Sequence, residues 1–213
     1  MIKNALEILE KTMKRYPALS GQRENILRAF ESINEAFRNG NKLLLCGNGG
    51  SASDCEHIAG ELLKSFIKKR KIREEVYRNL SDYGEEGKRL QSALEGAFPV
   101  VSLTSHIAFS TAFLNDKEPQ AVFAQQCYAL SSEGDILLAI STSGNSENCV
   151  LSAVTAKAVG AKVVALTGEK ENKLSRIADI AIRVPETETY LVQELHLPVY
   201  HCLCAMLEEE WFS

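Results

Sequence analysis

Several signatures are missing from this 213-residue chain, and each absence removes a class of function. No apolar run approaches the ~20 residues of a membrane span. The N-terminus mixes charged and apolar residues and lacks a signal peptide's apolar core, so the expected compartment is the cytoplasm. The six cysteines (Cys46, Cys55, Cys127, Cys149, Cys202 and Cys204) form no C-x-x-C pair. In a chain this long without a signal they read as buried, reduced thiols rather than a disulfide frame. Neither G-x-G-x-x-G nor a Walker lysine is present, which disfavours dinucleotides and nucleoside triphosphates. The net charge of −4 gives no basic footprint for nucleic acid, and the basic run at 68–71 reads as a solvated helix face. What remains is 45% hydrophobic and 24% charged, the composition of one globular domain with a sizeable core and an appended helical element.

The most informative stretch is Ser141-Thr142-Ser143-Gly144-Asn145-Ser146. A short apolar strand (135–140) precedes it and a helix (147–159) follows. Four hydroxyls therefore sit where a helix's first backbone N–H groups lack partners and its dipole is positive. Those conditions favour a phosphate. An ordinary N-cap requires only one hydroxyl. Gly144 allows a positive φ or a close backbone approach. The predicted ligand is an anion, most simply a phosphate monoester.

Residues 2–39 carry apolar positions at three- and four-residue spacing, broken at Tyr16-Pro17 and Ser20-Gly21 into two amphipathic helices. Their apolar faces need a partner, which in an oligomer is often a neighbouring subunit. A strand (42–46) then leads through Gly47-Asn48-Gly49-Gly50-Ser51 into a helix expected over 52–69. On that helix His57 and Glu61 stand four apart and share a face. Such a pair on its own reads as a surface contact.

Residues 67–96 form a charged excursion of one or two helices, either a lid or an oligomer contact. Further strands are expected at 98–103, 161–166 and 180–184, with helices at 106–114, 122–130 and 173–178. His106, just past a strand end, reads as a satisfied structural histidine. The last helix, 190–211, carries Gln193, Glu194, His196 and His201. At ~100° per residue Gln193 and His201 are about 80° apart, near enough to face one cleft. Pro198 between them is expected to kink the helix. Alternating strands and helices with near-continuous apolar strands predict an α/β fold with a parallel sheet covered on both faces. Ligands then sit beyond the strands' carboxyl ends, where both Gly/Ser loops fall.

Taken together, Cys46-Gly-Asn-Gly-Gly-Ser51, His57-x-x-x-Glu61, Ser141-Thr-Ser-Gly-Asn-Ser146 and Gln193-Glu-x-His196 with His201 resemble a sugar isomerase (SIS) domain of the phosphoheptose isomerase type. The resemblance runs over about 1–210. It implies a three-layer SIS-type fold at 41–213 with an insertion at 67–96, and N-terminal helices (1–40) that serve oligomerisation. The family converts sedoheptulose 7-phosphate to glycero-manno-heptose 7-phosphate through an enediol, a first step toward nucleotide-activated heptose for cell-surface glycans. That chemistry calls for a base, an acid at the carbonyl oxygen and stabilisation of the oxyanion.

By the same resemblance Glu61 and His201 are the catalytic pair. Ser141, Thr142, Ser143 and Ser146 hold the phosphate. The loop Asn48, Gly49, Gly50, Ser51, together with Asp116 and Gln193, meets the sugar. Some members bind zinc through residues matching His57, Glu61, Gln193 and His201. A glutamine is a poor zinc ligand, so the site is expected to be labile. The family is a homotetramer with sites between subunits, acting on a small sugar phosphate and binding neither nucleic acid nor membrane.

Two departures bear on the sugar: the long 67–96 segment, and Tyr190 where some members carry a substrate-binding Asp. Two other readings compete. One is a non-catalytic SIS scaffold of the replication-initiation type, against which the presence of both Glu61 and His201 argues. The other is an isomerase of a different phosphosugar. A phosphosugar-sensing transcription factor is disfavoured because no helix-turn-helix module precedes the SIS portion.

Overall fold

The structure, a computed structural model, describes residues 2–213, with side chains from Asn4 onward. Two helices, α1 (Ile2–Arg15) and α2 (Arg23–Arg38), flank a 3₁₀ turn that begins at Pro17. There follow β1 (Leu43–Gly47), α3 (Gly50–Leu63), α4 (Glu74–Leu80), α5 (Gly84–Ala93) and β2 (Val100–Ser102). The chain continues through α6 (Ile107–Asp116), α7 (Val122–Leu130), β3 (Ile136–Ser141), α8 (Glu147–Ala158) and β4 (Lys162–Thr167). It ends with α9 (Lys173–Ile177), β5 (Ile180–Arg183) and α10 (Thr189–Phe212).

The five strands form one parallel sheet in the order β2-β1-β3-β4-β5. Side chains alternate across a strand, so each strand feeds two cores. Leu43, Leu45, Leu138, Ile140, Val164 and Leu166 face one core, where α1, α2, α3 and α10 pack. Leu44, Cys46, Leu137, Ala139, Val163 and Ala165 face the other, under α7, α8 and α9. This is the three-layer α/β architecture expected from the alternating pattern. All six cysteines are buried and free, as expected of reduced thiols. No described helix is long and apolar enough to cross a membrane. The strand order reverses between β1 and β3, and the crevice at such a switch point is where doubly wound sheets bind ligands. The two Gly/Ser loops, after β1 and after β3, are therefore neighbours.

Three details differ from the sequence reading. Helix α3 ends at Leu63 rather than near 69, and residues 68–71 lie in an irregular segment. Arg70 within that run is buried and ion-paired with Glu208, not solvated. A run of like charges says nothing of a carboxylate that the fold brings from far along the chain. The apolar stripe of α1 (Ala5, Leu9, Met13) is covered by α10 of the same chain, so it is not left open for a neighbour. As expected, the last helix is unbroken: α10 runs from Thr189 to Phe212 with Pro198 inside it. The carbonyl that loses its donor there belongs to Glu194, a solvent-exposed residue, and water can satisfy it.

Candidate active site

The loop after β3 is built as a cradle. Ser141, the last residue of the strand, is buried, and its Oγ lies 3.0 Å from Ser146 Oγ. The Gly144 amide donates to Ser141 Oγ at 3.1 Å, and Asn145 N donates to Ser143 Oγ at 3.2 Å. Ser146 occupies the N-cap of α8, yet its hydroxyl makes no capping bond. It turns to Ser141 instead, which separates this loop from an ordinary capped turn. Gly144 has φ +63°, and a Cβ there would meet the Asn172 amide at 2.0 Å, so glycine is required on both counts. Asn172 is itself fixed by Thr167 Oγ1, the Lys170 carbonyl and the Ser175 amide.

The first Gly/Ser loop is tied to the second. Asn48 and Asn148 exchange reciprocal amide hydrogen bonds, each 2.8 Å. Ser51 is buried at the start of α3. At Gly50 a Cβ would lie 2.4 Å from Gln193 Nε2, so the glutamine side chain of α10 rests directly on the loop. Sequence reasoning did not single out Asn148, because its role exists only through the pairing of two loops 100 residues apart.

Helices α3 and α10 bring the His/Glu group together. His57 Nε2 lies 3.2 Å from Glu61 Oε1 and 3.5 Å from His201 Nε2. Lys64 Nζ sits 3.0 Å from the other Glu61 oxygen. The Glu61 side chain is only 15% exposed. Burial pushes the His201 pKa below its ordinary value, as does neighbouring His57, while Glu61 pulls it back. The ring is therefore neutral at neutral pH and can give and take a proton at one nitrogen.

Donor spacings of 3.2 and 3.5 Å bracket the ~3.3 Å edge of a tetrahedron around an ion bound at about 2 Å. The donor types suit a borderline metal. Among the described residues, however, no three or more His, Cys, Asp or Glu side chains converge as a complete ion site. His57, Glu61 and His201 fit zinc in donor type and in the two spacings that His57 makes, and the set would have to close around the ion.

The structure does not bring every expected residue to one place. Asp116 ends α6, exposed and bonded only to its neighbour Asn115. Thr142, Ser143 and Asn145 border a cleft of 260 Å³ that also holds Lys170 and three glutamates. His201 instead lines a separate groove of 490 Å³ between α1 and α10. His106 Nδ1 is bonded to Gln126 Oε1, the satisfied histidine expected. Tyr190 is exposed, and the α4–α5 excursion leaves Tyr77, Tyr83, Leu90 and Leu94 on its surface.

A parallel sheet with a phosphate-type loop at its switch point, and a carboxylate–imidazole group held between α3 and α10, is the arrangement expected of a sugar-isomerase-domain protein. The SIS domain family matches residues 103–206, and a second SIS domain family matches residues 7–94. The chain is 36% identical over 193 residues to the phosphoheptose isomerase of Aneurinibacillus thermoaerophilus, covering 89% of this chain and 85% of that one. It is 34% identical over 213 residues to that of Clostridium acetobutylicum, covering 100% and 93% of the two chains. Among solved structures, the phosphoheptose isomerases of Neisseria gonorrhoeae and Francisella tularensis each superpose with a TM-score of 0.72 at 28% identity. Each covers 97% of this chain and 94% of its own. The chain belongs to the phosphoheptose isomerase family of SIS-domain proteins.

Proposed function

We propose that this protein is an aldose–ketose isomerase that converts sedoheptulose 7-phosphate to D-glycero-D-manno-heptose 7-phosphate. The observation that carries the reading is the meeting of Glu61, His57 and His201 on two helices, α3 of which starts from a loop tied by Asn48 and Asn148 to the phosphate-type loop. Its support from relatives is family membership over nearly the whole chain. The phosphate rests on Ser141, Thr142, Ser143 and Ser146 at the N-terminus of α8, where free N–H groups and the helix dipole favour an anion. Asn48, Gly49, Gly50, Ser51, Asp116 and Gln193 serve the sugar.

The reaction moves one proton between carbons and one between oxygens. Glu61 removes a proton from C1 of the ketose, giving an enediol, exchanges it with solvent and delivers a proton to C2. His201, neutral at working pH, donates its N–H toward the carbonyl oxygen at C2 and recovers a proton from the oxygen at C1. No atom is gained or lost. His57, Glu61, Gln193 and His201 would hold zinc, which when bound polarises the carbonyl as a Lewis acid. The working form is a cytoplasmic homotetramer with sites between subunits. Two features support that arrangement: the separation of the loop cleft from the His201 groove, and the exposure of Ile107 and Leu114 on the helix that ends in Asp116.

Replacing the base tests the assignment. Glu61→Gln is expected to lower kcat by about 10²–10⁴-fold while inorganic phosphate still binds the Ser/Thr loop with unchanged affinity. Near-normal turnover in that variant would remove Glu61 from the reaction.

A further inference from the structure

Helices α3 and α10 also meet through a hydrogen-bonded chain that the proposed reaction does not use directly. Tyr200 Oη lies 3.1 Å from Asp54 Oδ1 and 3.1 Å from His57 Nδ1. The Tyr200 residue is 2% exposed, so its hydroxyl position is set by packing. Asp54 stands one helical turn before His57 on α3, and its second oxygen, Oδ2, is buried without a protein partner.

The order of protons along this chain follows from counting donors. A carboxylate only accepts, and a phenol has one proton. If Tyr200 gives its proton to Asp54, its oxygen accepts from His57 Nδ1–H. The opposite order would set the phenol's lone pairs against the carboxylate at 3.1 Å in the buried part of the chain. The chosen order leaves facing acceptors only between His57 and Glu61, where solvent reaches the His57 side chain and Lys64 Nζ lies 3.0 Å from the other Glu61 oxygen. With Nδ1 carrying the proton, a neutral His57 has its lone pair on Nε2. That atom faces Glu61 Oε1 at 3.2 Å and His201 Nε2 at 3.5 Å. Two acceptors, His57 Nε2 and the Glu61 carboxylate, then confront each other, and a cation between them would turn the repulsion into attraction.

We propose that Tyr200 and Asp54 are positioning residues that lock His57 as its Nδ1–H tautomer and so present the Nε2 lone pair to a divalent cation. This rests on the reading of the cleft as the isomerase centre, but the tautomer can be measured without any turnover. Outer partners of this kind hold a ligand ring in orientation and raise its basicity.

The experiment uses metal-free full-length protein with ¹⁵N-labelled histidine in mildly alkaline buffer. The chain has only 4 histidines, so long-range ¹H–¹⁵N correlations give few ring patterns, and His57→Gln identifies the one that belongs to His57. The wild type is expected to show protonated Nδ1 and bare Nε2. Tyr200→Phe removes only the hydroxyl and should let the ring drift toward the Nε2–H form that free imidazoles favour. Asp54→Asn can turn its amide N–H₂ toward the phenol, reverse the proton order and move His57 the same way. Both variants should bind zinc about 10–100-fold more weakly, with phosphate affinity unchanged.

An Nε2–H ring in the wild type would overturn the proposal. So would an Nδ1–H ring that persists, with unaltered zinc affinity, in the variants. An Nδ1–H ring in a protein with no isomerase activity would overturn the functional reading alone. An active isomerase whose His57 is Nε2–H would overturn this proposal alone.

Discussion

His196 stands one turn before Tyr200 on α10, fully buried, and neither ring nitrogen has a hydrogen-bond partner in the protein. Burial pushes its pKa down to about 4; the nearby Thr167 backbone pulls it upward without a well-formed hydrogen bond, so burial prevails. The unfolded chain takes up this proton near pH 6.5, whereas the folded chain resists it until about 4. The unfolded state therefore binds more protons across that window. Stability is full above about 6.5 and falls as the pH drops toward 4. Urea titrations at pH 7.5 and pH 5 should differ by about 2 kcal/mol from this group, and His196→Leu should remove most of the difference. An equal loss in that variant would assign the acid sensitivity to other groups.

At the same scale, the residues that could be read from sequence were those whose partners lie within one element. His57 and Glu61 are a turn apart on α3, and Gln193 and His201 share a side of α10 by simple helical geometry. Tyr200, Asp54 and Asn148 were missed because each acquires its role through a contact between elements. A tyrosine in an apolar helix run looks like core, and most of its ring is core.

One buried ion pair ties the end of α3 to α10. Arg70 and Glu208 are buried, with side chains 0% and 1% exposed, and Arg70 Nε lies 2.7 Å from Glu208 Oε1. The other Arg70 nitrogens donate to the carbonyls of Leu62 and Glu61 at the end of α3, at 2.9 and 2.8 Å. Glu208, on α10, also accepts from the amides of Phe66, Ile67 and Lys68. The clamp thus closes the C-terminus of the helix that carries Glu61 and fastens it to the helix that carries His201. Removing one member leaves the other charge buried and unpaired, which costs about 3–5 kcal/mol. Arg70→Met should lose that much stability by urea titration and lower kcat more than it raises KM. A variant as stable as the wild type would mean the clamp is dispensable. Pairing of this kind has no local signature, which is why the basic run at 68–71 read as solvent-facing. By contrast, the boundaries of α2, β1, β3, β4 and α10 followed closely from apolar periodicity and Gly or Pro punctuation, since those signals are local.

For the whole molecule, the parallel three-layer sheet was readable because strands buried on both faces are continuous apolar runs, as in Leu43–Gly47 and Ile136–Ser141. The covering of α1 by α10 was not, because an amphipathic stripe announces that it needs a partner without saying which one. The proposed assembly has its own test at this scale. Light scattering on the purified protein should return four times the 23.5 kDa chain mass. A monomer that retains activity would contradict sites shared between subunits.

The most direct measurement is the reaction itself, followed by NMR with sedoheptulose 7-phosphate and metal-replete protein in D₂O. The expected result is an aldose 7-phosphate product that carries solvent deuterium at C2, with exchange lost in Glu61→Gln. Binding of the sugar phosphate without product or exchange would contradict the isomerase assignment.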